Sequence, residues 1–231
     1  PKVISMIEMK IARVPGLADW WADPKLSNDS FPLWIRDLRK EKLLNKKLNM
    51  SDCLPAIEAM LQGIIIDFPV TMTFEYLEDH PKLGKIIVCD HKGYPIIGGH
   101  ELSQYKGAEF ENYHVIKIGL PWIIEVPDGY SCIFTSPFNR SGQHDAFCVS
   151  GVVRCDSYYN MVSIPFAIPL RKKGDTISVK EGKPFVQIIP IKRENIEITS
   201  SKIDVKSLET TIEEIKNTPG YYKSLTKGQG N

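Results

Sequence analysis

PWIIEVPDGYSCIFT, residues 121–135, decides the fold class. Trp122, Ile124 and Val126 fall on one face and Ile123 and Glu125 on the other, the period-two alternation that a half-buried strand requires. Pro127-Asp128-Gly129 has the residue types of a tight turn, and a second strand over 130–135 follows at once. Outward from there, the polar link 136–145 gives way to renewed alternation, with Phe147, Val149, Gly151 and Val153 opposite Cys148 and Ser150. Further strands are expected over 161–168, 176–179 and 185–191. Short strands joined by turn chemistry, without crossover helices, predict an antiparallel sandwich, jelly roll or compact barrel.

The flanks add a few peripheral helices. Residues 3–14 read as a strand-like start and 34–48 as a helix with an uneven apolar face. A second helix opens at Ser51 or Asp52 as N-cap, carries Pro55 in its first turn and ends at Gly63. Strands over 64–68, 72–76 and 86–89 follow. Leu208, Ile212 and Ile215 recur at helical spacing among acidic residues, which predicts an amphipathic helix over 204–217. No repeat or linker interrupts the chain, so one integrated domain is expected over 1–231. Its parts are a mixed N-terminal part (1–70), a β core (71–200), and a C-terminal helix and tail (201–231).

Composition excludes several function classes. The 231 residues carry a net charge of +1, with 42% hydrophobic and 25% charged residues. That near cancellation disfavours nucleic-acid binding, whose affinity rests on basic excess. No run approaches the roughly 18 apolar residues of a membrane span, and the N-terminus lacks the order of a secretory signal, so an intracellular location is expected. Cys53, Cys89, Cys132, Cys148 and Cys155 never occur as CxxC and read as buried or half-buried thiols, with a Cys148–Cys155 bridge left open.

Chemistry is sparse. Five histidines (His80, His91, His100, His114, His144) form no HxH, HxD or HExxH pattern. The neighbours Asp90-His91 and His144-Asp145 face opposite ways on a strand, so no metal site and no cofactor are expected. Gly98-Gly99 reads as a tight turn, because no strand–helix phosphate motif surrounds it. No nucleophile motif occurs. The basic stretch 36–47 reads as a solvated helix face. Trp20, Trp21, Phe31 and Trp34 form either a contact surface or a core cap.

Two resemblances can be tied to residues. PDGYSCIFT, GVVRCDSYY and EGKPFVQIIPI resemble, in order and spacing, the PxGY strand, the G-V-I-D-x-D-Y segment and the K-G-x-x-x-x-Q-L strand of the dUTPase and dCTP deaminase family. That likeness implies a β-clip fold. In that family the first Asp of the G-V-I-D segment activates the attacking water, and here its place is held by Arg154. The family's Pro-Arg-Ser motif becomes SPFNRSG. A guanidinium cannot serve as the general base, so the resemblance carries the fold further than the hydrolysis. Wider segments, including SDCLPAIEAMLQGIIIDFP and PWIIEVPDGYSCIFTSPFNR, resemble a family of proteins met chiefly in large tailed bacteriophages. That family implies a source more than an activity.

The fold expected is therefore mostly β, an antiparallel β-clip or jelly-roll-like barrel or sandwich with peripheral helices. The leading functional expectation is a non-enzymatic, phage-related structural or binding protein that assembles with itself or with other phage proteins, in the host cytoplasm or in association with the virion. The alternative is dUTPase-like nucleotide binding or hydrolysis, with Asn139, Arg140, Asp156, Tyr158 and Gln187 as ligand-binding candidates around one cleft. A metal-dependent oxygenase of the double-stranded β-helix type is a second alternative. No catalytic residue is assigned. For Asn139-Arg140 a structural reading, Arg140 anchoring loop carbonyls, stands beside the binding one.

Overall fold

The computed structural model describes residues 6–80, 84–90, 97–140, 143–218 and 220–226. In chain order the elements are β1 (Lys10–Arg13), β2 (Lys25–Leu26), α1 (Leu33–Asn45), α2 (Leu54–Leu61), β3 (Ile64–Asp67), β4 (Met72–His80) and β5 (Gly84–Asp90). Then come β6 (Ile97–Gly99), β7 (His114–Glu125), β8 (Tyr130–Thr135), β9 (Phe147–Cys148), β10 (Gly151–Val153) and β11 (Met161–Ile168). After these follow β12 (Thr176–Val179), β13 (Pro184–Lys192), α3 (Val205–Asn217) and α4 (Tyr221–Thr226).

Every strand pair among the described residues is antiparallel. One sheet runs β1-β7-β11-β9 with β6 also on β7, a second runs β10-β8-β13-β3-β2, and a third runs β12-β4-β5. The fold is mostly β with peripheral helices, as the alternation predicts, and the described strands form open sheets without closing a barrel. Apolar residues of all three sheets meet in one cluster that includes Phe74, Ile118, Trp122, Phe134, Phe166 and Val186.

Prolines mark where the ladders bend or end. Pro121 sits inside β7, where Met161 pairs with Ile123 but Ser163 pairs with Gly119, so the extra residues bulge out at the residue that has no N–H to donate. Pro190 lies in β13, a strand with neighbours on both sides, yet the β3 partners stop at Ile188 and the proline meets only β8. Trp122 is held from the N-terminal side: Trp21 packs edge-on against it with ring centroids 5.1 Å apart, and the Arg13 guanidinium lies 4.8 Å over its ring. Such contacts add about 0.5–1.5 kcal/mol beyond area burial.

Several expectations need correction. The segment 147–153 is two strands, because the chain leaves the β11 sheet after Val149, whose N–H still donates to Pro165 O at 2.9 Å, and joins the β8 sheet at Gly151. Gly98 and Gly99 are strand residues of β6, paired with Lys117 and Ile116, and not a turn. The second helix begins at Leu54. Asn49, not Ser51 or Asp52, caps the short helical turn before it, accepting from Ser51 N while the Asp52 carboxylate accepts from Asn49 N. Cys132, Cys148 and Cys155 are buried free thiols, but Cys53 is exposed. The aromatic group divides, with Trp21 buried and Trp20 and Trp34 exposed. Residues 1–5, His91, Ser141-Gly142 and the tail 227–231 lie outside the described residues.

Candidate functional site

Gln187 lies on β13 and is 1% exposed. Its amide is fully used: Nε2 donates to Ala59 O at 3.1 Å and to Gln62 O at 2.7 Å, and Oε1 accepts from Phe138 N at 2.9 Å. Asn139, held at φ 54°, donates from Nδ2 to Ala56 O at 3.1 Å. Arg140 donates to Ser30 O, and its half-buried position lowers the guanidinium pKa through desolvation. These three side chains tie the 137–140 turn to α2 and to the segment before α1.

Asp156 and Tyr158 belong to a different place, the link between β10 and β11. The Asp156 carboxylate pairs with Arg193 and accepts from Gly129 N at 3.0 Å. Arg193, aided by that amide and by Ser157, pulls the Asp156 pKa down to about 2. The two groups sit at opposite ends of the β8–β13 ladder, where Gln187 pairs with Thr135 and Lys192 with Tyr130. Five residues of strand separate them, about 17 Å at roughly 3.4 Å per residue. The five candidates therefore do not share one cleft within a single chain.

Each end has its own recess. At the β10–β11 end, an open recess of about 590 Å³ is lined by Val152, Arg154, Ser157, Tyr158, Met161 and Ser163 among others. Arg154 O accepts from Ser157 N at 3.0 Å and Tyr158 N at 2.8 Å, a tight turn that leaves the Arg154 and Tyr158 side chains exposed. An aromatic ring, aliphatic walls, a guanidinium and two hydroxyls suit a flat ligand with hydrogen-bonding edges. At the other end, a recess of about 560 Å³ is bordered by Trp34, Arg36, Arg140, Lys183 and the carboxylate of Asp29. Three cations beside an indole suit an anionic group. Sequence reasoning missed Trp34, Arg36 and Lys183 as neighbours of Arg140, because they come from segments far apart in the chain.

The Cys155 thiol beside it, together with burial, pushes the Cys132 thiol up. Cys148 instead donates to Phe185 O at 3.2 Å, so the arrangement favours no Cys148–Cys155 bridge. Among the described residues, no three His, Cys, Asp or Glu side chains cluster as a metal site. No helix among them is long and apolar enough to cross a membrane.

The state of Asp156 is testable by pH. Its folded pKa lies below the roughly 3.9 of an unfolded Asp, so its contribution to stability is complete above about pH 4 and fades as pH falls toward 2. Asp156→Asn is expected to lower Tm near neutrality, with the gap to the parent closing between about pH 4 and pH 2. A gap that stays constant across that window would rule out the ion pair as the cause.

No family model matches the chain, and no curated protein matches it. Among solved structures, a mutant dUTPase from phage phi11 of S. aureus, described with a structural Mg(II) ion, is 12% identical over 85% of this chain and 97% of its own, with a TM-score of 0.40. The dUTPase of Staphylococcus bacteriophage 80alpha is 10% identical over 85% and 97%, with a TM-score of 0.40. A mutant of that enzyme, described with dUpNHpp, is 11% identical over 85% and 98%, with a TM-score of 0.39.

Proposed function

We propose that the protein binds a nucleotide between neighbouring copies of the chain and does not hydrolyse it through a carboxylate base. The observation that carries this reading is the pair of unlike recesses at opposite ends of the β8–β13 ladder. One offers a surface for a base, the Tyr158 ring with hydroxyls and Arg154 at its edge. The other offers Arg36, Arg140 and Lys183 to phosphates. Within one chain they lie too far apart for a single nucleotide, whereas a homo-oligomer can bring the base recess of one copy to the cationic recess of the next. Both recesses draw on the segments that resemble dUTPases, GVVRCDSYY and SPFNRSG.

The lack of a carboxylate base in this reading follows from Arg154. A guanidinium stays protonated and cannot take a proton from water. The neighbouring Asp156, held ionised by Arg193 at a pKa of about 2, is too weak a base to replace it. The protein would then act as a phage-related nucleotide-binding component of an assembly.

Calorimetric titration with a non-hydrolysable dUTP analogue tests this. Binding is expected, about tenfold or more weaker for Arg154→Ala and for Lys183→Ala separately, as for loss of one charge-assisted contact of roughly 1.5–3 kcal/mol. Co-expressing the two variants should restore full affinity at a fraction of sites, since some sites then pair an intact base recess with an intact cationic one. No heat with any pyrimidine or purine triphosphate would sink the proposal. Release of pyrophosphate from dUTP by the parent protein would overturn the non-hydrolytic half of it.

A further inference from the structure

The chain after Arg193 stands apart from the sheets. Among the described residues its ties to the sheets lie at its start: Arg193 donates to Tyr130 O and Ser131 Oγ and pairs with Asp156, and Glu194 pairs with Lys192 of β13. Beyond Arg193, 194–204 is exposed and α3 contains no buried residue. Its hydrogen bonds are local: Asp204 caps the helix through Lys206 N and Ser207 Oγ, and Tyr221 Oη of α4 reaches Glu214. Val205, Leu208, Ile212 and Ile215 remain 40–61% exposed. A helix of 13 residues is marginal in water by itself, so this stripe is short of a partner.

The spacing of the stripe indicates what that partner is. Val205, Leu208, Ile212 and Ile215 are separated by three, four and three residues, the a and d positions of two heptads, with nothing apolar beside them. A stripe that narrow matches another helix of the same kind; a sheet or core would call for a wider face. The flanking positions set the direction. Glu209 and Lys216 both fall at e, and Asp204 and Thr211 at g. Parallel pairing would place Asp204 of one copy against Glu209 of the other, a like-charge contact. Antiparallel pairing places Glu209 against Lys216 twice, once on each side of the two-fold axis, and leaves Asp204 beside neutral Thr211.

We infer that α3 docks antiparallel on α3 of a second copy, with Leu208 facing Ile212 across the axis. This surface is independent of the nucleotide reading and of whatever contacts the sheets make between copies. Whichever assembly the β body forms, α3 joins two of them.

Sedimentation velocity of the full chain over a concentration series tests the inference. Ile212→Glu is expected to halve the mass of the assembly while leaving the thermal melt of the body unchanged, because α3 contributes nothing buried to it. Glu209→Lys turns two attractions into repulsions and should weaken association about tenfold. Lys216→Glu should do the same, and the double exchange Glu209→Lys with Lys216→Glu should restore it. Stronger association in Glu209→Lys would show parallel pairing and overturn the geometry. An unchanged mass for Ile212→Glu would overturn the docking altogether.

Discussion

Gly63→Ala is expected to destabilise the protein by about 3–5 kcal/mol, a large part of the roughly 5–15 kcal/mol that holds a domain folded. Gly63 ends the α2 turn at φ +64°, where an L side chain carries a penalty of about 1–2 kcal/mol. The greater cost is steric. A Cβ there would lie 2.0 Å from Ile188 O and 2.9 Å from its carbonyl carbon, both backbone atoms of β13, where no side-chain rotation gives relief. Either β13 or the α2 end must move. That movement breaks the contact of Ser27 N with Gly63 O and of Gln187 with the α2 carbonyls. Gly129→Ala is the control, since Gly129 has φ +85° with nothing within 4 Å of a Cβ, so it should show the conformational penalty alone. Urea denaturation of both variants separates the steric cost from the conformational one. Equal losses would mean the β13 backbone yields without resistance, and the close approach would carry no energy.

This close approach was not legible in the sequence, although Gly63 as the end of a helix was. Propensity and turn chemistry report on the local chain, and the partner at Ile188 is remote. The same division runs through the fold. Strands at 130–135, 161–168 and 176–179 could be read because alternation is local and burial on one face enforces it. The passage from β9 to β10 could not, because alternation continues unbroken through Val149 and Ser150 while the chain changes sheets. Gly98 and Gly99 have turn composition yet pair with β7, since glycine is permitted in a strand where no side chain has to pack. The amphipathic helix was readable for the opposite reason: Asp204 caps it locally and its stripe owes nothing to the β body.

The candidate site was legible in part. The motif likeness points to GVVRCDSYY and SPFNRSG, segments that line the two recesses, but groups their residues in one cleft. Asp156 reads as available because Arg193, its partner, lies 37 residues away and carries no local signal. Arg140 stands between two roles in the sequence. Its bond to Ser30 O answers to the structural one, while its place beside Arg36 and Lys183 keeps the guanidinium on the wall of a cationic recess.

Gln187 is where the two kinds of role separate most sharply. Gln187→Leu is expected to cost about 3–5 kcal/mol of stability with side-chain volume nearly preserved, from the loss of three buried hydrogen bonds. Leucine removes both donors and the acceptor, which strands Phe138 N. Ala59 O keeps only a long 3.4 Å contact from Gln62 N, while Gln62 O keeps the Ser27 hydroxyl at 2.7 Å. A buried backbone group left in this way costs roughly 1–3 kcal/mol. Gln187→Glu sharpens the test. The new carboxyl can still accept from Phe138 N, but its other oxygen faces two carbonyls that themselves only accept. Burial and those oxygens push its pKa up and favour the protonated acid, which can donate to one of them. The penalty should therefore be largest near neutrality and shrink as pH falls through the raised pKa, whereas the gap for Asp156→Asn closes only at far lower pH. Were Gln187 a base-reading group, as its place in the EGKPFVQIIPI motif suggests, both variants would melt like the parent and lose only nucleotide binding. Thermal melts across pH, run beside calorimetry with the dUTP analogue, decide between a side chain that reads a ligand and one that fastens α2 and the 137–140 turn to β13.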